Sequence, residues 1–177
     1  MQNKLNALAN VCLIAASLMT AAVVGPALFR TYFVKRPPRP TPIPDYVVGQ
    51  SVDLPGLEKG RSNIVFALSP ECGICVHDAS NGVYEHAGAA AGTANIVVIS
   101  PSSASEKETK AFLSTYHVPG KSVIMPAERF PFAGTPYTLL IDTTGKVTGA
   151  WKGAIDQERE RQLLTQIATL SLQGAAQ

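Results

Sequence analysis

The chain has 177 residues, of which 46% are hydrophobic and 16% are charged, so it can form one domain with a short appendage and is too apolar to be disordered. Residues 1–44 contain five of the fifteen basic residues and none of the thirteen acidic ones, which leaves the rest of the chain mildly acidic. An acidic body excludes a nucleic-acid-binding protein, which needs a basic folded face, and three cysteines are too few for a scaffold held by several disulfides.

The first predicted element is an apolar segment near the N-terminus. Residues 5–29 contain no charged side chain, and a helix of this length would extend roughly 37 Å, against about 30 Å of bilayer hydrocarbon. The run is longer than the apolar core of a usual signal peptide, so we favour an uncleaved membrane anchor over residues 1–30, with a cleaved signal peptide as the alternative. Cys12 lies in this run and is interpreted as a small apolar residue in lipid.

A proline-rich segment follows the predicted anchor. Five of the eight residues from Pro37 to Pro44 are proline, a composition typical of an extended polyproline spacer. We therefore assign residues 31–45 to a linker and residues 46–177 to the folded domain. More basic residues follow the apolar run than precede it, which by charge alone would leave the domain in the cytoplasm. The cysteine usage described below favours an oxidising compartment instead.

The body of the chain alternates between predicted strands and predicted helices. An extended segment over residues 47–54 comes first, and an alanine-rich helix is predicted over residues 72–91. Ser103 and Glu106 have the spacing of a capping box at the start of another helix. Strands are predicted over residues 63–68, 95–100, 137–141 and 147–151.

A final helix is predicted to begin near Asp156, which suits an N-cap position. Leu163, Ile167 and Leu170 share one face of this helix and are expected in the core. The order of elements predicts an α/β domain in which helices cover a mixed sheet.

The chemistry is predicted at Cys72 and Cys75, which form a C-x-x-C motif directly after a buried strand and at the start of a helix. Helix-terminal N–H groups stabilise a thiolate at Cys72, while Cys75 lies one turn on, within disulfide reach. We expect Cys72 to attack and Cys75 to resolve, through a redox-active disulfide between them. A zinc site is disfavoured because the chain has no second cysteine pair, so no metal and no cofactor is expected.

A proline directly before a predicted strand adds to this pattern, in the sequence Gly134-Thr135-Pro136-Tyr137. Together with the order of elements and the C-x-x-C motif, it resembles the thioredoxin-like superfamily. The resemblance covers about Val48 to Leu172, and it implies a cis bond between Thr135 and Pro136 that faces the disulfide and binds substrate.

The resemblance is strongest to the membrane-anchored TlpA-like branch, which has an N-terminal signal anchor, an extra leading segment and a periplasmic redox domain. Ser69-Pro70-Glu71-Cys72 is also similar to the maturation proteins of methylamine utilisation. The sequence departs from the family where tryptophan usually precedes the first cysteine, since Glu71 stands there. Phe66 replaces the acid found six residues before that cysteine in thioredoxin itself, so another group or water must assist Cys75.

The predicted function is that of a single-pass, membrane-anchored thiol:disulfide oxidoreductase of the bacterial inner membrane, with its domain in the periplasm. Expected partners are client protein thiols or disulfides, a membrane or periplasmic electron donor or acceptor, and the lipid bilayer through residues 5–29. One alternative is a non-catalytic assembly or maturation module with a structural disulfide. Another is a peroxiredoxin-like peroxidase, for which Ser69 is suitably spaced from Cys72 but Val65 stands where proline is required.

The sequence also predicts the environments of several side chains near the motif. His77 is expected to be an exposed helix residue, with electrostatic tuning of the cysteine pair as the alternative, and Asp78 is expected to be exposed as well. Phe130 and Phe132, in the loop before Pro136, are candidates for flanking a partner peptide. Trp151, at the end of a hairpin strand, is interpreted as a packing residue.

Overall fold

The computed structural model describes residues 45–175. Five strands form one sheet: β1 (Asn63–Ala67), β2 (Asn95–Pro101), β3 (Lys121–Met125), β4 (Tyr137–Ile141) and β5 (Val147–Lys152). Four α-helices accompany them: α1 (Gly73–Ser80), α2 (Val83–Ala90), α3 (Glu106–Thr115) and α4 (Gln157–Ala175). A short 3-10 helix spans Ala127–Arg129.

The sheet is mixed, with the strand order β3-β2-β1-β4-β5. β1 pairs in parallel with β2, and β2 pairs in parallel with β3. β4 runs antiparallel to both β1 and β5. In this register Ala67, at the end of β1, lies opposite Tyr137, at the start of β4. The chain that follows β1 and the chain that precedes β4 therefore meet at one edge of the sheet, which we call the redox edge.

The two faces of the sheet bury different side chains because successive residues of a strand point in opposite directions. Ile64 and Phe66 face a cluster formed with α1, α2 and α4, to which α4 contributes the predicted Leu163, Ile167 and Leu170. Val65 and Ala67 face a second cluster on the other side. All four β1 residues named here are fully buried. The strand that leads into the C-x-x-C motif therefore lies between the two clusters of the core.

The predicted order of strands and helices is confirmed, with three local differences. The alanine-rich helix is two helices, because Gly82 adopts a left-handed φ of 77° between α1 and α2. The capping box is made by Ser105 and Glu108, two residues after the predicted pair with the same spacing. Strand β3 was not predicted.

The segment over residues 47–54, predicted to be extended, lies beside the start of β5, where the Gly49 N–H donates to the Val147 carbonyl and the Val52 N–H donates to the Gly145 carbonyl. It makes one isolated bridge, Ser51 with Lys146, instead of a full strand. Within residues 45–175, no helix is both long and apolar enough to cross a membrane. The predicted anchor, Cys12 and most of the predicted linker lie outside the described residues.

Candidate active site

The C-x-x-C motif lies at the redox edge, where β1 ends and α1 begins. Cys72 and Cys75 are joined by a disulfide, with 5.2 Å between their Cα atoms. Cys72 is the N-cap residue of α1, and its Sγ accepts a hydrogen bond from the Cys75 N–H at 3.1 Å. The positive end of the helix is thus directed at the Cys72 sulfur, an arrangement that stabilises a thiolate there after reduction.

The two sulfur atoms differ in accessibility. Cys75 is fully buried, whereas Cys72 is partly exposed. Ile74, between them, is 46% exposed and leaves an apolar side chain at the surface beside the disulfide. A partner can therefore reach Cys72 and not Cys75, as attack by Cys72 and resolution by Cys75 would require.

The loop before β4 lies against the disulfide. The Thr135–Pro136 peptide bond is cis, as the family resemblance implies. The Thr135 carbonyl oxygen is 3.3 Å from Cys72 Sγ, so it can accept a hydrogen bond from the Cys72 thiol after reduction. The four residues predicted for the site, Cys72, Cys75, Thr135 and Pro136, are brought together by the pairing of β1 with β4.

Asp78 is fully buried, which contradicts its prediction as an exposed helix residue. Its Oδ2 accepts a hydrogen bond from the Ile155 N–H at 3.1 Å, and its Oδ1 is 3.4 Å from Nδ1 of His77. Burial raises the pKa of the Asp78 carboxyl, and the contacts with His77, the Ile155 N–H and the charge of Arg159 act in the opposite direction. Asp78 is three residues after Cys75, a helical spacing that puts their Cβ atoms about 5–6 Å apart on one face.

Tyr84 supplies a second buried polar group beside Asp78. Its hydroxyl is buried and has no hydrogen-bond partner among the described residues. Burial raises the Tyr84 pKa far above its ordinary value, with a further contribution from the negative charge of Asp78. The Tyr84 ring packs edge-on against Phe66 at 5.2 Å. Phe66 is thus packed against Tyr84, and the carboxylate that interacts with Tyr84 belongs to Asp78 of α1.

The spacing of Asp78 from Cys75 could have identified it, because a residue three positions after a buried helical cysteine shares its face. His77, at 71% side-chain exposure, agrees with its prediction. Phe130 and Phe132 do not, since they are 9% and 2% exposed and belong to the core of the second sheet face. They support the loop from inside. Trp151 is buried as a packing residue.

The segment after β5, residues 153–156, contacts the loop that contains Thr135 and Pro136. The Gly153 N–H donates to the Pro136 carbonyl at 3.0 Å. The Arg159 guanidinium donates to the carbonyls of Lys152 and Ala154. Through its bond to Ile155, Asp78 therefore connects α1 to a segment that contacts the residue beside the disulfide.

A cavity of about 360 Å³ lies at the opposite end of the sheet, between Asn63 at the start of β1 and the turn from Asp142 to Gly145. It is separate from the redox edge. Within residues 45–175 there is no group of three or more His, Cys, Asp or Glu side chains placed to hold a metal ion.

Solved structures of disulfide-exchange proteins have a similar fold. A secreted disulfide oxidoreductase of Mycobacterium tuberculosis, homologous to DsbE of E. coli, is 16% identical, with a TM-score of 0.51 over 63% of this chain and 84% of that one. DsbF of the same organism, in mixed oxidised and reduced forms, is 17% identical, with a TM-score of 0.50 over 62% and 82%. A thiol:disulfide interchange protein of the thioredoxin family from Chlorobium tepidum is 19% identical, with a TM-score of 0.51 over 75% and 99%.

The sequence matches no protein-family model and no curated protein. At these sequence identities the structural likeness establishes the fold. The described domain has the thioredoxin-like α/β fold, with a disulfide of C-x-x-C spacing.

Proposed function

We propose that the domain is a thiol:disulfide oxidoreductase that exchanges disulfides with client proteins. The observation that carries this proposal is the arrangement of the Cys72–Cys75 disulfide, with one sulfur accessible at a helix N-terminus and the other buried. A purely structural disulfide needs neither the helix terminus directed at one sulfur nor the Thr135 carbonyl 3.3 Å from it. The likeness to proteins named as disulfide oxidoreductases supports the same function.

In the direction that reduces a client, the Cys72 thiolate attacks one sulfur of the client disulfide. A bond forms between Cys72 and that sulfur, the client S–S bond breaks, and the other client sulfur leaves as a thiolate. Cys75 then loses its proton and attacks the Cys72 sulfur, which forms the Cys72–Cys75 bond and releases the second client thiolate. Two electrons pass from the domain to the client, and the reverse sequence oxidises a dithiol client.

The proton on Cys75 needs an acceptor in a buried site. We propose that Asp78 takes this proton, because its carboxylate lies on the same buried helix face as Cys75 and has one strong hydrogen bond, to the Ile155 N–H. Burial raises the pKa of the Asp78 carboxyl and so brings it closer to the pKa of a thiol. The smaller difference between the two pKa values makes proton transfer from Cys75 more favourable. Asp78 would thus provide the group that Phe66 cannot.

Removing the resolving cysteine tests the exchange chemistry. In Cys75→Ala the mixed disulfide with Cys72 cannot be resolved, so clients should remain covalently attached and should appear as reductant-sensitive adducts on non-reducing gels of the native host. Cys72→Ala is the matched control and should trap nothing, because Cys75 is fully buried. If neither variant forms adducts and both support the host phenotype, the non-catalytic assembly module becomes the better explanation.

The reduction potential separates the same two functions in the purified domain. An exchange protein should have a potential near that of its compartment, whereas a structural disulfide should lie below about −300 mV. A titration of the Cys72–Cys75 pair against glutathione measures this value directly.

We further propose that residues 5–29 anchor the protein in the bacterial inner membrane and that the domain faces the periplasm. The support is the uncharged apolar run and the use of a disulfide, which persists in oxidising compartments. A reporter that works only after export, fused after Gln177, should be active. Activity of a cytosol-only reporter at the same position would contradict this orientation. The likeness to methylamine-utilisation proteins stays a prediction.

A further inference from the structure

The loop that touches the disulfide has little regular structure of its own. Residues 130–136 connect the 3-10 helix to β4, and the Thr135 carbonyl at its end lies 3.3 Å from Cys72 Sγ. The position of this carbonyl depends on contacts between the loop and other parts of the domain. The Gly153 N–H donates a hydrogen bond to the Pro136 carbonyl at the end of the loop. Tyr46 contacts the start of the loop.

Tyr46 lies at the beginning of the described domain and is 85 residues before its loop partner in the chain. Its hydroxyl donates a hydrogen bond to the Pro131 carbonyl at 3.3 Å, and its backbone N–H donates to the Tyr137 hydroxyl at 3.2 Å. Its ring centroid is 5.4 Å from that of Phe132 and 6.0 Å from that of Tyr137. Tyr46 thus contacts the loop near its start, at Pro131 and Phe132, and contacts Tyr137, the first residue of β4 directly after the loop.

The Tyr46 hydroxyl is suited to donate this hydrogen bond. Burial raises the Tyr46 pKa above its ordinary value, and the neighbouring Tyr137 raises it further. A tyrosine hydroxyl keeps its proton at neutral pH even without this shift, so it is a hydrogen-bond donor there. Next to Tyr46, an exposed ion pair joins Asp45 to Lys152, at the end of β5, at 2.8 Å.

We propose that Tyr46 is a positioning residue for client docking, which holds the loop over residues 130–136 so that it presents its backbone to an extended client peptide beside Cys72. This inference rests on the proposed exchange function. An extended peptide that pairs with a loop needs the loop carbonyls and N–H groups in register. A small aromatic disulfide that only collides with Cys72 needs no such register.

The test compares two disulfide substrates on the reduced domain. One is a peptide with its disulfide in an extended segment, and the other is 5,5′-dithiobis(2-nitrobenzoic acid). Tyr46→Phe keeps the ring and removes only the bond to Pro131. We expect the second-order rate constant for single-turnover reduction of the peptide to fall about 3–10-fold, the effect of losing one neutral hydrogen bond, with the small-disulfide rate constant unchanged within about 2-fold.

Two further variants sharpen the comparison. Tyr137→Phe removes the acceptor of the Tyr46 N–H and should reproduce the selective loss. Tyr116→Phe is the matched control: its ring packs against Phe112 at 5.2 Å on the helical side of the sheet, and it should alter neither rate. Urea denaturation of each variant checks that the fold is retained.

The outcomes distinguish this inference from the function on which it rests. If wild type reacts with neither disulfide, the exchange function is wrong. If wild type reacts with both and Tyr46→Phe matches it on the peptide, the docking role of Tyr46 is wrong. A Tyr46→Phe variant that slows both substrates equally would show an effect on Cys72 reactivity instead, and would also overturn the docking role.

Discussion

Replacing Asp78 tests whether burial of its negative charge lowers the stability of the folded domain. Asp78→Asn keeps the shape of the side chain and an oxygen that can accept the Ile155 N–H, but it removes the charge. Asp78→Ala removes the acceptor as well and leaves a buried N–H without a partner. That loss costs about 1–3 kcal/mol, or a drop of several degrees in Tm for a domain of this size.

The Asp78→Asn variant should be more stable than wild type at pH 7. Because burial raises the Asp78 pKa in the folded protein, the folded state binds this proton more tightly than the unfolded state does. Wild-type stability therefore falls as pH rises from the ordinary carboxyl range through the raised pKa, by 1.36 kcal/mol for each unit of difference. The substituted amide does not titrate, so the advantage of the variant should be largest at pH 7 and should shrink towards pH 4.

Urea unfolding of wild type and both variants at pH 7 and pH 4 measures these differences from the midpoints at constant slope. Groups that do not face Asp78 cancel in the comparison, whereas His77 lies 3.4 Å from its Oδ1, so the three proteins are also compared in a His77→Gln background. If Asp78→Asn is as destabilising as Asp78→Ala at pH 7, the negative charge itself holds the structure through His77 and Arg159. The argument from burial would then be refuted.

The same Asp78→Asn variant also tests Asp78 as the proton acceptor. Formation of the mixed disulfide by Cys72 should proceed normally, whereas its resolution by Cys75 should slow about 100-fold at neutral pH. Rapid-quench separation of the mixed disulfide resolves the two steps. An unchanged resolution rate would assign the proton to water.

Three other substitutions should have smaller effects. Glu71→Gln removes a negative charge beside the helix terminus and should speed alkylation of reduced Cys72 about 2–3-fold in low salt, from roughly 0.6 kcal/mol across about 7 Å of water. A slower reaction would show that Glu71 favours the Cys72 thiolate instead of opposing it. Tyr84→Phe removes a buried hydroxyl without a partner among the described residues and should leave the free energy of unfolding unchanged or raise it by up to about 1 kcal/mol; a loss above about 1 kcal/mol would reveal a bound water between Tyr84 and Asp78. His117→Gly relieves a left-handed residue, with φ of 50°, after α3 and should raise thermal stability by about 0.5–1 kcal/mol, as calorimetry would show.

The sequence by itself determined the elements whose signals are local. The β4 strand is a short run between turn residues, and all five of its residues are buried, so its signal is its length and composition. The face of α4 that carries Leu163 is predicted by helical periodicity. The disulfide pair was predicted for a similar reason. A C-x-x-C motif specifies its own loop closure, and a strand before it and a helix after it determine where it lies.

The tertiary structure decided what depends on residues far apart in the chain. Strand β3 is a half-exposed edge strand, and its pairing with β2, rather than a strong periodicity of its own, makes it a strand. The sequence places Asp78 on the helix face of Cys75, but only the tertiary structure supplies its hydrogen-bond donor, the N–H of Ile155, 77 positions later. The contact of Tyr46 with Pro131 joins residues 85 positions apart, and it depends on the pairing of β1 with β4, which places the loop at the redox edge. Local pattern reports which residues a helix or strand will bury, whereas the partner of a buried polar group is set by the packing of the whole domain.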